Sequence, residues 1–184
     1  MFLGGPPYLF DILKGKTKPQ RTTWFIWTAL GIVAFGSQTT LGAHWSLVYA
    51  GLNAAGNLAV FLLSLKFGVG GWRRQDVLAL VIATVGVTVS LAVRAPLAAL
   101  WGAIIADFAG AALTLRKSYL QPSTETSLTW FFAGTSSLLA AFAVGSWNFS
   151  LLLYPIYICF TTYGVLVAQA LGHWLRPGVQ KISA

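Results

Sequence analysis

The sequence predicts an all-α integral membrane protein with six transmembrane helices, and three observations predict it. Of 184 residues, 57% are hydrophobic and only 9% are charged, whereas a water-facing domain carries about 25% charged residues. The apolar residues gather in six runs, each near the ~20 residues that a helix needs to cross a bilayer. The basic residues fall between those runs and on alternate sides of them. No alternating strand pattern is present, and a helix satisfies its own backbone in lipid.

The chain opens with Met1–Leu13, apolar but too short to span and carrying Asp11. This piece is expected to lie at the interface or to be the tail of a longer helix. Gly4-Gly5-Pro6-Pro7 interrupts it, and its charges follow the apolar residues, so it has no secretory-signal pattern. The six spans follow at residues 22–43, 45–65, 77–93, 96–115, 126–147 and 149–172. Pro155 should kink the last of them.

The loops set the orientation. One side collects Lys14, Lys16, Lys18 and Arg21, then Lys66, Arg73 and Arg74, then Arg116 and Lys117, then Arg176 and Lys181; the other side has only Arg94. This bias places the basic loops and the C-terminus in the cytoplasm of a bacterial inner membrane. The net charge of +8 thus belongs to a membrane pattern and not to the continuous solvated face of a nucleic-acid binder. The eight tryptophans fall near helix ends, as an aromatic belt would. His44 is expected in a short loop on the far side, and Cys159, the single cysteine, is a packing residue that permits no internal disulfide.

The basic turn Lys14–Arg21, with its Lys18-Pro19-Gln20, precedes Thr23-Trp24. About a hundred residues on, Arg116-Lys117 and Gln121-Pro122-Ser123 precede Thr129-Trp130. An uncharged helix pair follows each turn, with Trp45 and Trp147 at corresponding boundaries. With its Pro-Gln and this weak repeat, the chain resembles the PQ-loop, or SWEET-like, membrane transporters. The second turn keeps the proline and lacks the glutamine. The resemblance implies a 3+1+3 plan of two three-helix units joined by a linker helix, here lacking its first helix. Residues 1–66 would be the truncated first unit, 67–95 the linker, 96–175 the second unit and 176–184 a cytoplasmic tail. The opening helix is absent through a late start, through natural loss, or because a partner supplies it.

Asp107 lies in mid-span, where a carboxyl group costs at least ~2.5–3.5 kcal/mol, so it should face a bundle interior. It is either a proton-coupling group or a carboxyl hydrogen-bonded to a neighbouring helix. Gly102, Ala106 and Gly110 beside it permit close helix approach. Asn53 and Asn57, four apart, share a helix face and either line a polar ligand or bond between helices at about 0.6 kcal/mol each. The resemblance favours an asparagine at this helix of each unit; the second unit offers Tyr154, Tyr157 and Thr161 instead. Gln38 and Gln169 read as structural. The expected solute-binding set is Asn53, Asn57, Asp107, Tyr157 and Thr161, with Trp24 and Trp130 at the cytoplasmic mouth and Pro19, Gln20 and Pro122 as hinges.

No nucleophile–base pattern, paired carboxylate or phosphate loop is present, so no enzyme, cofactor or metal is expected. Two functions remain. One is an alternating-access transporter of a sugar, amino acid or vitamin-like solute. The other is a non-transporting subunit packed within a larger membrane complex. The expected partners are membrane lipid, the solute, and further copies or a larger assembly, with no nucleic acid.

Overall fold

The computed structural model describes residues 4–40, 45–93 and 95–176. His44, Arg94, Lys181 and the tail beyond Arg176 lie outside the described residues. Among these described residues seven helices follow in order: α1 Gly5–Leu13, α2 Arg21–Thr40, α3 Trp45–Phe67, α4 Arg74–Ala92, α5 Pro96–Leu120, α6 Ser127–Ala143 and α7 Phe149–Leu175. A 3-10 turn, Pro122–Thr124, links α5 to α6. Among the described residues there is no strand, only an isolated bridge between Gln20 and Val69.

Among the described residues four helices are long and apolar enough to cross a membrane: residues Leu47–Phe67 of α3, then α4, α5 and α7. The chain is therefore an α-helical protein of membrane-spanning character. The two other expected spans differ for separate reasons. α6 is apolar but only 17 residues long. α2 has 20 residues, but Arg21, Thr22, Thr23, Thr28, Ser37 and Gln38 dilute its apolar content. Lipid-type surface is plain on the rest: Phe160 of α7, Val85 of α4 and Leu62 of α3 are all more than half exposed, as suits side chains facing hydrocarbon rather than water.

The chain forms two compact units, Met1–Lys18 with Thr114–Ala184, and Pro19–Leu113. The opening segment joins the second half of the chain, and most of α5 joins the first.

In the Pro19–Leu113 unit, α2 packs along α3, with Phe25 5.4 Å from Phe61 between ring centres. A core of Ile26, Ala79, Ala83, Ala106, Ala109 and Leu113 joins α2, α4 and α5. Its small residues let backbones meet. A Cβ on Gly102 would lie 2.6 Å from the Gly86 carbonyl oxygen, and a Cβ on Gly86 equally close to that of Gly102. Only glycine fits this α4–α5 crossing, the small-residue packing of membrane helices.

In the other unit, α6 packs along α7. Gly134 leaves room for Tyr163, whose hydroxyl bonds the Thr135 hydroxyl at 2.9 Å. Asn148 caps α7 by accepting from the Ser150 and Leu151 amides. α1 lies against α6, where the Thr129 hydroxyl donates to the Gly4 carbonyl at 2.6 Å.

Candidate functional site

Three polar clusters stand out, and the sequence had named members of each without their partners. The first lies in the Pro19–Leu113 unit. Asn57 is buried, and its Nδ2 donates to the Trp27 carbonyl at 3.1 Å. The Trp27 indole in turn donates to the Asp107 backbone carbonyl at 3.4 Å. Trp27 thus stands between the asparagine and the aspartate. Asp107 is itself buried at 8% exposure, inside a helix where a carboxyl needs polar company. The i and i+4 spacing does put Asn53 on the same stripe, but it is half-buried. Trp24 is buried edge-on against Trp27, with ring centres 5.1 Å apart.

The second cluster is built on the Pro-Gln turn of the same unit. The backbone of Pro19–Arg21 pairs with Val69: Arg21 N donates to Val69 O and Val69 N to Pro19 O, at 2.9 and 2.8 Å. This leaves the Gln20 side chain turned inward. Its Nε2 donates to Asp76 Oδ1 at 2.7 Å, and its Oε1 accepts from the Thr22 amide at 3.0 Å. Asp76 is fully buried and also accepts from the Gly71 and Arg73 amides. An acid in the first turn of α4 suits the unpaired amides at a helix start. Gly70, at φ 80°, passes so near the Gln20 amide that a Cβ would lie 2.5 Å from it. Arg21 closes the cluster by donating to the Ser64 and Gly70 carbonyls.

The third cluster belongs to the other unit and centres on Glu125. Its Oε1 accepts from Lys117 Nζ at 2.7 Å; its Oε2 accepts from the Trp130 indole at 2.9 Å and the Tyr8 hydroxyl at 3.1 Å. Lys117 also donates to the Thr124 carbonyl. Both ionic side chains are almost wholly buried. Next to them Thr126 donates to the Asp11 carboxylate at 2.9 Å, so Thr17, 2.6 Å away, must supply the proton of the Thr17–Thr126 bond. Gln169 Nε2 donates to the Pro122 and Glu125 carbonyls, tying α7 to the same turn. Trp130, expected at a solute mouth, is here a buried partner of Glu125 and stacks edge-on with Tyr8.

Tyr157 and Thr161 are half-buried on α7, where the Thr161 hydroxyl donates back to the Tyr157 and Ile158 carbonyls. Pro122 is buried at the start of the 3-10 turn. The sequence placed Lys117 beside Arg116 in a solvated turn; the structure exposes Arg116 and buries Lys117. The cue for that pairing was Glu125, the one acid in the second basic turn. The cue for the Asp76 cluster was its place three residues after Arg73 at a helix start.

Among the described residues, no group of His, Cys, Asp and Glu is suited to hold a metal. Trp72, Trp101, Trp147 and Trp174 are exposed, as belt residues would be. Comparison with family models, with curated proteins and with solved structures gives no match.

Proposed function

We propose that the chain is a transporter of small polar solutes, of the PQ-loop or SWEET type, working by alternating access. The observation that carries this reading is a pair of matched hydrogen bonds. Thr23 Oγ1 donates to the Gly110 carbonyl at 2.6 Å, and Thr129 Oγ1 donates to the Gly4 carbonyl at 2.6 Å. Each threonine opens a helix after a basic turn and is followed by a buried tryptophan. Gly4 precedes Gly110 by as many residues as Thr23 precedes Thr129. Such a correspondence supports an internal repeat in which α1 stands to α6 as α5 stands to α2. By the same interval Trp24 corresponds to Trp130, and Asn57 to Tyr163.

On this reading α1 holds the place of the opening helix in a 3+1+3 plan, and α4 is the linker. α2 and α6 complete the six crossings. The basic ends face the cytoplasm of a bacterial inner membrane, and the C-terminus with them. The solute is a sugar, an amino acid or a vitamin-like compound. The residues proposed to meet it are Asn53, Asn57, Asp107, Tyr157 and Thr161, with Trp24 and Trp130 following the basic turns and Pro19, Gln20 and Pro122 in those turns.

The burial of Asn57, Trp24 and Trp130 in internal contacts favours a second reading, a membrane subunit that uses the same helices only to pack within a larger complex. Uptake into proteoliposomes made from the purified chain separates the two. Saturable uptake of one member of a panel of sugars, amino acids and vitamins supports transport. Uptake no greater than in protein-free liposomes, together with stoichiometric co-purification of another membrane protein, sinks it.

A further inference from the structure

None of the four Asp and Glu side chains stands exposed. Asp76, Asp107 and Glu125 are buried, and Asp11 is half-buried with Thr126 bonded to it. Every exposed ionic side chain among the described residues is therefore a cation. In the unit formed by Met1–Lys18 and Thr114–Ala184, these cations gather at one end. Lys14, Lys16 and Lys18 lie on the loop that leaves α1, and the Lys18 amide donates to the Thr124 carbonyl beyond α5. Arg116 is exposed on the last turns of α5. Arg176, half-exposed, reaches to 5.7 Å from the Tyr119 ring at the end of α7. At this end Glu125 is engaged with Lys117.

Apolar side chains stand beside the cations. Phe10 is 57% and Leu13 60% exposed, and Lys14 Nζ lies 4.0 Å over the Phe10 ring. A soluble polyanion or an acidic protein surface would answer the charge and leave Phe10 and Leu13 in water. A bilayer interface answers both, with phosphates at the level of the lysines and acyl carbons below them.

We propose that this end of the unit binds the headgroups of anionic phospholipids in its own leaflet. Lys14, Lys16 and Lys18 meet the phosphates, Phe10 and Leu13 enter the upper acyl region, and Arg116 and Arg176 extend the cationic surface. The inference needs a membrane-embedded chain and no transport activity.

The test is lipid selectivity at the surface of the full chain. The protein is reconstituted in phosphatidylcholine bilayers carrying a trace of spin-labelled phosphatidylglycerol or spin-labelled phosphatidylcholine, and the motionally restricted fraction of each label is compared. Each lysine near the surface contributes roughly fivefold in local preference, so the wild type should favour phosphatidylglycerol by about fivefold or more. That preference should fall with rising salt. The triple variant Lys14→Gln, Lys16→Gln, Lys18→Gln should approach equal affinity for the two labels, and Lys14→Arg, Lys16→Arg, Lys18→Arg should keep the wild-type preference. Wild-type protein that does not discriminate between the labels overturns the proposal, as does a folded glutamine variant with undiminished preference. If that variant does not fold, the arginine variant and the wild-type salt series decide. Loss of preference on adding inorganic phosphate, at an ionic strength where chloride leaves it intact, would assign the surface to a soluble phosphate and also overturn the proposal.

Discussion

Gln20 and Asp76, at the start of α2 and of α4, are joined by a 2.7 Å hydrogen bond from the buried amide to the fully buried carboxylate. The glutamine of the Pro-Gln turn is thereby held at both ends, since its Oε1 also receives the Thr22 amide. A turn fastened in this way moves as part of α2 and the start of α4, unless the bond to Asp76 opens.

Removing that bond should loosen the turn without dissolving the unit. Gln20→Leu leaves a buried carboxylate oxygen and the Thr22 amide without their partner, at a cost of about 1–3 kcal/mol each. Asp76→Leu strands three donors, Gln20 Nε2 and the Gly71 and Arg73 amides. It should therefore lower stability more than Gln20→Leu does. Unfolding of the purified variants in mixed micelles ranks the two, and the reverse order would mean that the cluster is not held through Asp76.

Much of this was legible in the sequence and some was not. The apolar runs of α3, α4, α5 and α7 were visible because the length of a spanning helix is set by the bilayer. The inward position of Asp107 followed from the cost of a lipid-facing carboxyl. What stayed hidden were pairings over long separations. Nothing near Tyr8 announces Glu125, and nothing near Gln20 announces Asp76. Lys117 was grouped with Arg116 because they are adjacent, yet successive residues on a helix point about 100° apart, so one faces out while the other faces in. The repeat was sought by matching Pro19 with Pro122. The hydrogen bonds of Thr23 and Thr129 suggest another register, because a turn can lengthen while the helix contacts it leads to stay fixed.

The Lys117–Glu125 pair should respond non-additively. Lys117→Met leaves a buried carboxylate with no cation, a change on the order of 3–5 kcal/mol. Adding Glu125→Gln to Lys117→Met should recover most of that loss. A neutral amide needs no counter-charge, and its oxygen can still accept from Trp130 and Tyr8. A double-mutant cycle on unfolding free energies measures this, and additive costs would show that the two charges do not depend on each other.

The α4–α5 crossing should tolerate no side chain at its centre. In Gly102→Ala the new Cβ would meet the Gly86 carbonyl at 2.6 Å and the Ser90 amide at 2.8 Å, both backbone atoms that cannot swing away. The helices must part, at about 1–3 kcal/mol. Gly36→Ala, where the Cβ meets open space, serves as the control and should be close to neutral. Equal melting temperatures for the two variants would show that the crossing yields without cost.

The proposed orientation rests on the charge bias and is open to labelling. With Cys159 replaced by alanine, Trp147→Cys, at a fully exposed site between α6 and α7, should react with an impermeant thiol reagent added outside intact cells. Lys16→Cys, exposed on the basic turn, should react only after the membrane is permeabilised. The opposite pattern would place the basic ends outside and reverse the assignment.

Asp107 separates transport from scaffolding. It is buried within a long apolar helix, and its backbone carbonyl takes the Trp27 indole while Trp27's own carbonyl takes Asn57. A carboxyl kept in such a place either moves a proton or holds helices together. Asp107→Asn preserves the shape and most of the hydrogen bonding but cannot titrate. If the proposed transport is proton-coupled, this variant should melt near the wild type and lose uptake driven by a proton gradient, while Asp107→Leu should lose both uptake and stability. If the residue only binds helices, asparagine should be tolerated in both measurements and leucine should still weaken the packing. Asn57→Ala completes the comparison. It removes the Trp27 contact without touching the carboxyl, so it should lower the melting temperature modestly, by an amount reflecting about 0.6 kcal/mol for one interhelical bond. Full gradient-driven uptake by Asp107→Asn would end the coupling role and leave Asp107 to the packing of α5 alone.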